Sequence, residues 1–289
     1  MEYPVNYDSP AELREFLESS NLSMKKRFGQ NFLINRGGRE KIISCLPVSA
    51  GDSVWEIGPG LGAMTWHLLE MKADVTVFEI DHGFIGNLTE FYGRLSNFSM
   101  VEGDFLKSFK IRSENDADAP DYILGNLPYV SGSVMIAEIV RSSIEPKRMV
   151  FTLQKEVGQR MAAVPGTKDY SSFSLVCQSK YDIFMRGDLK PGSFYPRPAV
   201  QSAIIELRPH SRFKPGDPQM YYKLIDDLFL ARRKKISNNL TKGKLASELG
   251  RDIMAQTLEK SGLDGGRRAE TLSVPDVELL SRMLSEDLK

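Results

Sequence analysis

The strongest constraint on the fold of this chain is a series of short apolar runs, separated by turns and helical stretches, beginning near residue 50. "SVWEI" (53–57), "DVTVFEI" (74–80), "FSMVEG" (98–103), "DYILGN" (121–126) and "RMVFTLQ" (148–154) each have strand length. The helical "AMTWHLLEMK" follows the first, and another helical stretch after the second reaches residue 95. Such alternation predicts an α/β fold, a parallel sheet with helices on both faces. Ligands bind such sheets beyond the carboxyl ends of the strands, where the strand order reverses. Every unusual turn in this sequence falls at such an end.

"SAIIELRP" (202–209) reads as a last strand and "HSRFKPGDPQ" (210–219) as a linker punctuated by Pro and Gly. Beyond it, "MYYKLIDDLFLARRKKISNNL" reads as helix, with Tyr221, Leu224, Ile225, Leu228 and Phe229 on one core-facing stripe. Short helices continue through 246–289. The chain is therefore expected to divide into an N-terminal extension (1–23), an α/β domain (24–209) and a helical domain (210–289). The extension carries a short helix in "SPAELREFLESS" to which no role attaches.

Composition narrows the class. An apolar fraction of 41% over 289 residues supports a real core, and no apolar run approaches the ~18 residues of a membrane span. The acidic N-terminus lacks the apolar segment of a secretory signal. Cys45 and Cys177 are far apart, and His67, His82 and His210 stand alone, so a metal-free, cytosolic protein is expected. Net charge is zero, yet "MKKRFGQNF" (24–32) and "RRKKISNNLTKGK" (232–244) contain no acidic residue. Each reads either as a solvated face or as a phosphate-contacting surface.

Three successive strand ends suggest an adenosine-bearing ligand. "VWEIGPGLGAM" (54–64) follows a strand and opens a helix; Gly58, Gly60 and Gly62 allow a tight turn and close approach to the backbone. Glu79, ending the second strand, can accept from two ribose hydroxyls. Asp104, ending the third, can accept from an adenine amino group. Asp81 and Asp104 are also readable as helix caps. Glycine spacing alone leaves a nicotinamide dinucleotide and S-adenosylmethionine both open.

The fourth strand ends in "GNLPYVSG" (125–132), which has no side chain suited to proton transfer during hydride chemistry. It has what methylation of an aromatic amine requires. An Asn oxygen and a backbone carbonyl can accept from the two amino hydrogens and draw the nitrogen toward tetrahedral geometry. Pro128 stiffens the turn, and Tyr129 offers a ring on which an unstacked base can lie.

Asn/Asp-Pro-aromatic turns of this kind mark amino methyltransferases that act on bases. Together "KKRFGQNFL" (25–33), "EIGPGLGAMT" (56–65), "NLPY", "LQKEVGQRM" (153–161), "FYPRPAVQSA" (194–203), "RRKKISNNL" (232–240) and "RRAETLS" (267–273) resemble the ribosomal RNA adenine dimethyltransferases. Within that family the resemblance is to bacterial enzymes that dimethylate two adjacent adenosines near the end of small-subunit rRNA. It implies a Rossmann-like class I methyltransferase domain, a small all-helical C-terminal RNA-binding domain, and S-adenosylmethionine as donor. By the same resemblance Asn31 and Leu33 cover the cofactor, Gly58 and Gly60 lie against it, Glu79 takes its ribose and Asp104 its adenine. Asn126, bordering the cofactor, holds the target amine; Leu127 and Pro128 set the backbone; Tyr129 and Phe194 sandwich the base. The implied partner is small-subunit rRNA within a partly assembled 30S subunit, met by a cytoplasmic monomer; Gln154, Lys155 and Arg160 read as strand-end caps and surface charges or, for Lys155 and Arg160, as RNA backbone contacts.

The sequence departs from the family pattern at Val130-Ser131-Gly132, where Asn-Ile-Ser is usual, and at Ala199 and Gln201, where Lys and Asp are usual. Two other assignments share the fold. Macrolide-resistance methyltransferases of large-subunit rRNA typically carry Ile at the position of Leu127, and "RRAETLS" also disfavours them. A non-catalytic assembly factor would not need Glu79, Asp104 and "NLPY" together.

Overall fold

The computed structural model describes residues 5–22, 30–113, 119–212 and 215–287; Met24–Gly29 of the first basic run lie outside them. The chain forms two compact units. One comprises Met1–Gly158 and Phe184–Arg208, the other Gln159–Ile183 and Pro209–Lys289.

The apolar runs of the first unit become strands because alternate residues meet two different cores. β1 is Phe32–Leu33, β2 Ser53–Ile57, β3 Asp74–Glu79, β4 Phe98–Glu102, β5 Tyr122–Asn126 and β6 Arg148–Gln154. β7 is Tyr181–Leu189, β8 Phe194–Tyr195 and β9 Ser202–Pro209. Val54, Val75, Val77, Leu124 and Val150 face a cluster with Ile42 of α2 (Arg36–Ser44) and Met64 and Leu68 of α3 (Ala63–Glu70). Trp55 and Phe78, one residue out of phase, meet Phe105 and Phe109 of α5 (Phe105–Arg112) edge to face. That alternation is the period-two pattern of a sheet covered on both sides.

Sheet order is β4-β3-β2-β5-β6-β9-β7. β2 to β6 run parallel, and β9 joins antiparallel to β6. The chain builds outward from β2 to β4, then restarts at β5 on the other side of β2, so the order reverses between the ends of β2 and β5. Gly125 sits at that seam. A Cβ there would come within 2.7 Å of the Ile57 carbonyl oxygen, so the close approach of β5 to β2 requires glycine.

At the other end of the sheet, Glu206 on β9 is 0% exposed and pairs with Arg148 (3.1 Å), Arg186 and Arg208 (2.7 Å). The guanidinium groups of Arg186 and Arg208 also lie over the Phe184 ring, at 4.8 and 4.9 Å from its centroid. One buried carboxylate thus ties β6, β7 and β9 together.

In the second unit, α9 (Pro218–Leu228) packs against α8 (Ser172–Lys180), α10 (Ile236–Leu240), α11 (Lys244–Leu249) and α13 (Val274–Asp287). The helix expected to continue to residue 240 ends at Leu228, and Arg232 to Lys235 form an exposed turn. Four adjacent cations gain nothing from helical stacking, and the Asn239 amide takes the carbonyls left at the break, Leu228 O at 2.6 Å and Ala231 O at 3.1 Å. No helix among the described residues is long and apolar enough to cross a membrane.

Candidate active site

Beyond the carboxyl ends of β2 to β5 lies a cavity of about 400 Å³. Asn31, Leu33, Gly58, Gly60, Glu79, Asp104, Asn126 and Pro128 all line it. Residues far apart in sequence meet there because the parallel strands deliver their carboxyl ends to one edge.

The glycine turn is held in a left-handed conformation, with φ of 68°, 61° and 91° at Gly58, Gly60 and Gly62. A Cβ at Gly60 would lie 2.9 Å from the Phe32 ring, whereas one at Gly58 would meet nothing within 4 Å. The turn is therefore closed on the Phe32 side and open on the cavity side at Gly58. Beneath it, the buried Glu56 carboxylate accepts from the Thr65 hydroxyl at 2.6 Å, bracing the turn between β2 and α3.

Glu79 carries an unusual proton affinity. Its carboxylate accepts from the backbone N–H groups of Ile80 and Asp81, both at 2.9 Å, and of Gly60 at 3.3 Å. Burial nevertheless dominates these favourable contacts and pushes its pKa up to about 7. Asp104 is a helix cap, its Oδ1 accepting from Leu106 N–H at 2.8 Å at the start of α5, and the residue also lines the cavity. Asp81 caps α4 (His82–Tyr92) through Gly83 N–H at 3.0 Å and accepts from the Gln30 amide at 3.1 Å.

The "NLPY" turn is anchored at four points. Leu127 is buried in the core, and its N–H donates to Thr152 O at 3.1 Å. The Pro128 carbonyl accepts from Gly132 N–H at 2.8 Å, closing the turn onto α6 (Gly132–Arg141). The Tyr129 hydroxyl bonds Ser202 Oγ at 2.6 Å, which fixes the half-buried ring. Asn126 Nδ2 donates to the Asn31 carbonyl at 2.6 Å. That bond decides the amide's orientation, since its nitrogen faces Asn31 and its Oδ1 is left as an acceptor.

Tyr129, Leu127 and Phe194 do not line the cavity. Phe194 is 2% exposed and belongs to the core cluster that includes Leu33, because β8 pairs antiparallel with β1 and sets Phe194 opposite Leu33. The structure thus brings Asn126 and Pro128 together with the cofactor-side residues on the wall of one cavity, which neither the Tyr129 nor the Phe194 ring lines. Val130, the first departure from the family pattern, is 91% exposed at the cavity's edge beside Ser131. Lys155 pairs with Asp188 at 2.6 Å.

Comparison with known proteins decides the family. A sequence model described as ribosomal RNA adenine dimethylase matches residues 21–280. The chain belongs to that family. It is 40% identical to the ribosomal RNA small subunit methyltransferase A of Treponema denticola over 284 residues, covering 97% of this chain and 96% of the relative. Proteins of the same name from Treponema pallidum and Halothermothrix orenii are 37% and 33% identical, with 96% of this chain covered in each and 97% and 93% of the relatives. Among solved structures, a dimethyladenosine transferase from Plasmodium falciparum superposes with a TM-score of 0.73 at 23% identity, covering 87% of this chain and 96% of that one. The 23S rRNA methyltransferase ErmE superposes at 0.59 and 21% identity, over 88% and 99%. These superpositions establish the fold, that of the class I methyltransferases.

The cavity lining also includes residues that sequence reading overlooked. Tyr7, Arg39, Phe84, Phe105 and Met135 line the same cavity. Phe84 and Phe105 follow the caps Asp81 and Asp104, a local signal that was available. Tyr7 and Arg39 gave no local signal.

Proposed function

We propose that this protein transfers methyl groups from S-adenosylmethionine to the exocyclic N6 amine of two adjacent adenosines near the 3′ end of small-subunit rRNA, forming N6,N6-dimethyladenosine. The observation that carries this reading is the Asn126 amide, oriented by its bond to Asn31 with Oδ1 as acceptor on the cavity wall. The names of the 33–40% identical relatives support the small-subunit target.

The donor set suits S-adenosylmethionine. Glu79 offers acceptors for ribose hydroxyls, Asp104 an acceptor for the adenine amine, and the open face of Gly58 admits a chain against the backbone. Bound there, the cofactor supplies an electrophilic methyl group. The protein's part is to prepare the nucleophile. Asn126 Oδ1 and the Leu127 carbonyl accept the two amine hydrogens and turn the nitrogen lone pair out of conjugation with the ring. Tyr129, fixed through Ser202, supplies a ring face for the base. The departing proton passes to water, so no general base is required. After the first methylation one N–H remains, and Asn126 can still hold it. Arg233, Lys234 and Lys235, exposed on the turn after α9, would meet RNA phosphates. We place this activity in the cytoplasm, on a partly assembled small subunit, with the protein acting as a monomer.

Unmethylated small subunits incubated with labelled donor should yield dimethyladenosine at adjacent positions by nucleoside mass spectrometry. Labelling confined to large-subunit RNA would defeat the assignment. Donor affinity should also depend on pH. Glu79's folded pKa lies above the ordinary value of 4.5, so folding takes up a proton between about 4.5 and 7, and stability declines as pH rises through that window. Ribose hydroxyls donate to the ionised carboxylate, so affinity should rise as pH rises through about 7 and level off above. Glu79→Gln should bind weakly and remove that component; calorimetric profiles with the same pH slope in both proteins would refute the ribose role.

A further inference from the structure

Arg39 is the one cation among the described residues that line the cavity; the anions there are Glu79 and Asp104. It is 7% exposed and presents a planar, delocalised cation. Nη1 donates to the Leu33 carbonyl at 2.9 Å, and Nη2 pairs with Asp8. The group also lies over the Tyr7 ring, 5.4 Å from its centroid. A guanidinium has five N–H groups, and these contacts use two.

The sheet order assigns this cation to one end of the donor. Asp104, Glu79, Gly58 and Asn126 stand at the carboxyl ends of β4, β3, β2 and β5, so the adenosine acceptors lie over β4 and β3 and the amine acceptor over β5. The segment from Asn31 to Leu33 joins the remaining two groups: Asn31 O receives the Asn126 amide, and Leu33 O receives Arg39. Two residues of extended chain separate those carbonyls, roughly 7 Å. A sulfonium whose methyl lies near Asn126 carries its amino-acid arm, ending in a carboxylate, over about that span.

We infer that Arg39, steadied by Asp8 and Tyr7, binds the carboxylate of the donor's amino-acid arm. The inference rests on the donor proposed above. It also gives residues 5–22 a task. α1 (Pro10–Ser19) buries Leu13 and Leu17, which with Val5 and Tyr7 pack against Phe32, Leu61 and Phe84, so the segment is seated where Tyr7 and Asp8 can hold the guanidinium. Tyr7 and Asp8 are positioning residues in this arrangement.

Calorimetry with three ligands separates a carboxylate site from a strut that merely pins the N-terminal segment. S-adenosylhomocysteine has the whole arm, methylthioadenosine has none, and decarboxylated S-adenosylmethionine lacks only the carboxylate. Arg39→Gln should weaken S-adenosylhomocysteine by about 10- to 100-fold, the worth of a hydrogen bond to a charged group, and leave methylthioadenosine within about twofold. The unaltered protein should discriminate against the decarboxylated ligand by a similar factor, a comparison that needs no variant to fold. Asp8→Asn should reproduce the selective loss at smaller size. Equal losses for S-adenosylhomocysteine and methylthioadenosine in Arg39→Gln, or full affinity of the unaltered protein for the decarboxylated ligand, would overturn the carboxylate role. Failure of the unaltered protein to bind S-adenosylmethionine or S-adenosylhomocysteine at all would instead remove the donor assignment, and this inference with it.

Discussion

Asn126→Ala is expected to slow methyl transfer by about 10²- to 10³-fold while donor affinity changes only a few-fold, because the lost acceptor matters most when the amine nitrogen leaves planarity. Asn126→Asp is the sharper test. The carboxylate keeps an oxygen for the amine but has no N–H for Asn31 O, so it faces a carbonyl lone pair where the amide donated at 2.6 Å. It should therefore be about as defective as the alanine variant, although it differs from the native residue by one functional group. Single-turnover transfer to small subunits, with donor binding measured in parallel, distinguishes the cases. Unimpaired transfer in Asn126→Ala would remove Asn126 from the chemistry. Full activity in Asn126→Asp would mean that the bond to Asn31 does not orient the working group.

The largest stability effect is expected at Glu206. Its carboxylate is buried among Arg148, Arg186 and Arg208, and Glu206→Ala would leave three neighbouring cations without their shared anion. Removing one partner from a buried ion pair costs about 3–5 kcal/mol, so the denaturation midpoint should fall sharply. The arginines hold the Glu206 pKa below the ordinary 4.5 although burial works the other way. The stabilisation is therefore present above that value and is lost as pH falls through the lower, folded value. Glu206→Gln should lose this acid-sensitive component. A variant that unfolds with the unaltered midpoint would show that the cluster is held by packing around Phe184 instead.

How much of this was legible in the sequence follows from the range of the interactions involved. β2, β3, β5, β6 and β9 could be read because each is an apolar run long enough to cross a two-faced core, and β4, at a sheet edge, because Phe98 and Met100 alternate against one cluster. β7 could not, since Asp182, Arg186, Gly187 and Asp188 interrupt its pattern, and it lies at the sheet edge, where burial on both faces is not required. The break after Leu228 lacked proline or glycine and depends on Asn239, eleven residues on, to take the open carbonyls. At the site, the groups at strand ends were legible because parallel topology alone gathers them. Phe194 was less so: an aromatic before a Pro-x-Pro turn reads equally as a rigidly presented ring or as a hydrophobic loop anchor, and pairing of β8 with β1, about 160 residues earlier in the chain, buries it. Tyr7 and Arg39 meet only because the N-terminal segment folds back onto Phe32 and Phe84.

One hydrogen bond described above has a mechanical consequence. The Asn31 carbonyl that aligns the Asn126 amide belongs to a segment that also borders the cofactor cavity. Displacing that segment would cost the amide its alignment, because the Asn31 carbonyl is the group that holds its nitrogen. Dimethylation by the proposed route needs a spent donor to be exchanged between two transfers. On that route, the wall beside the donor and the group that holds the amine form one mechanical unit, so neither can shift without the other.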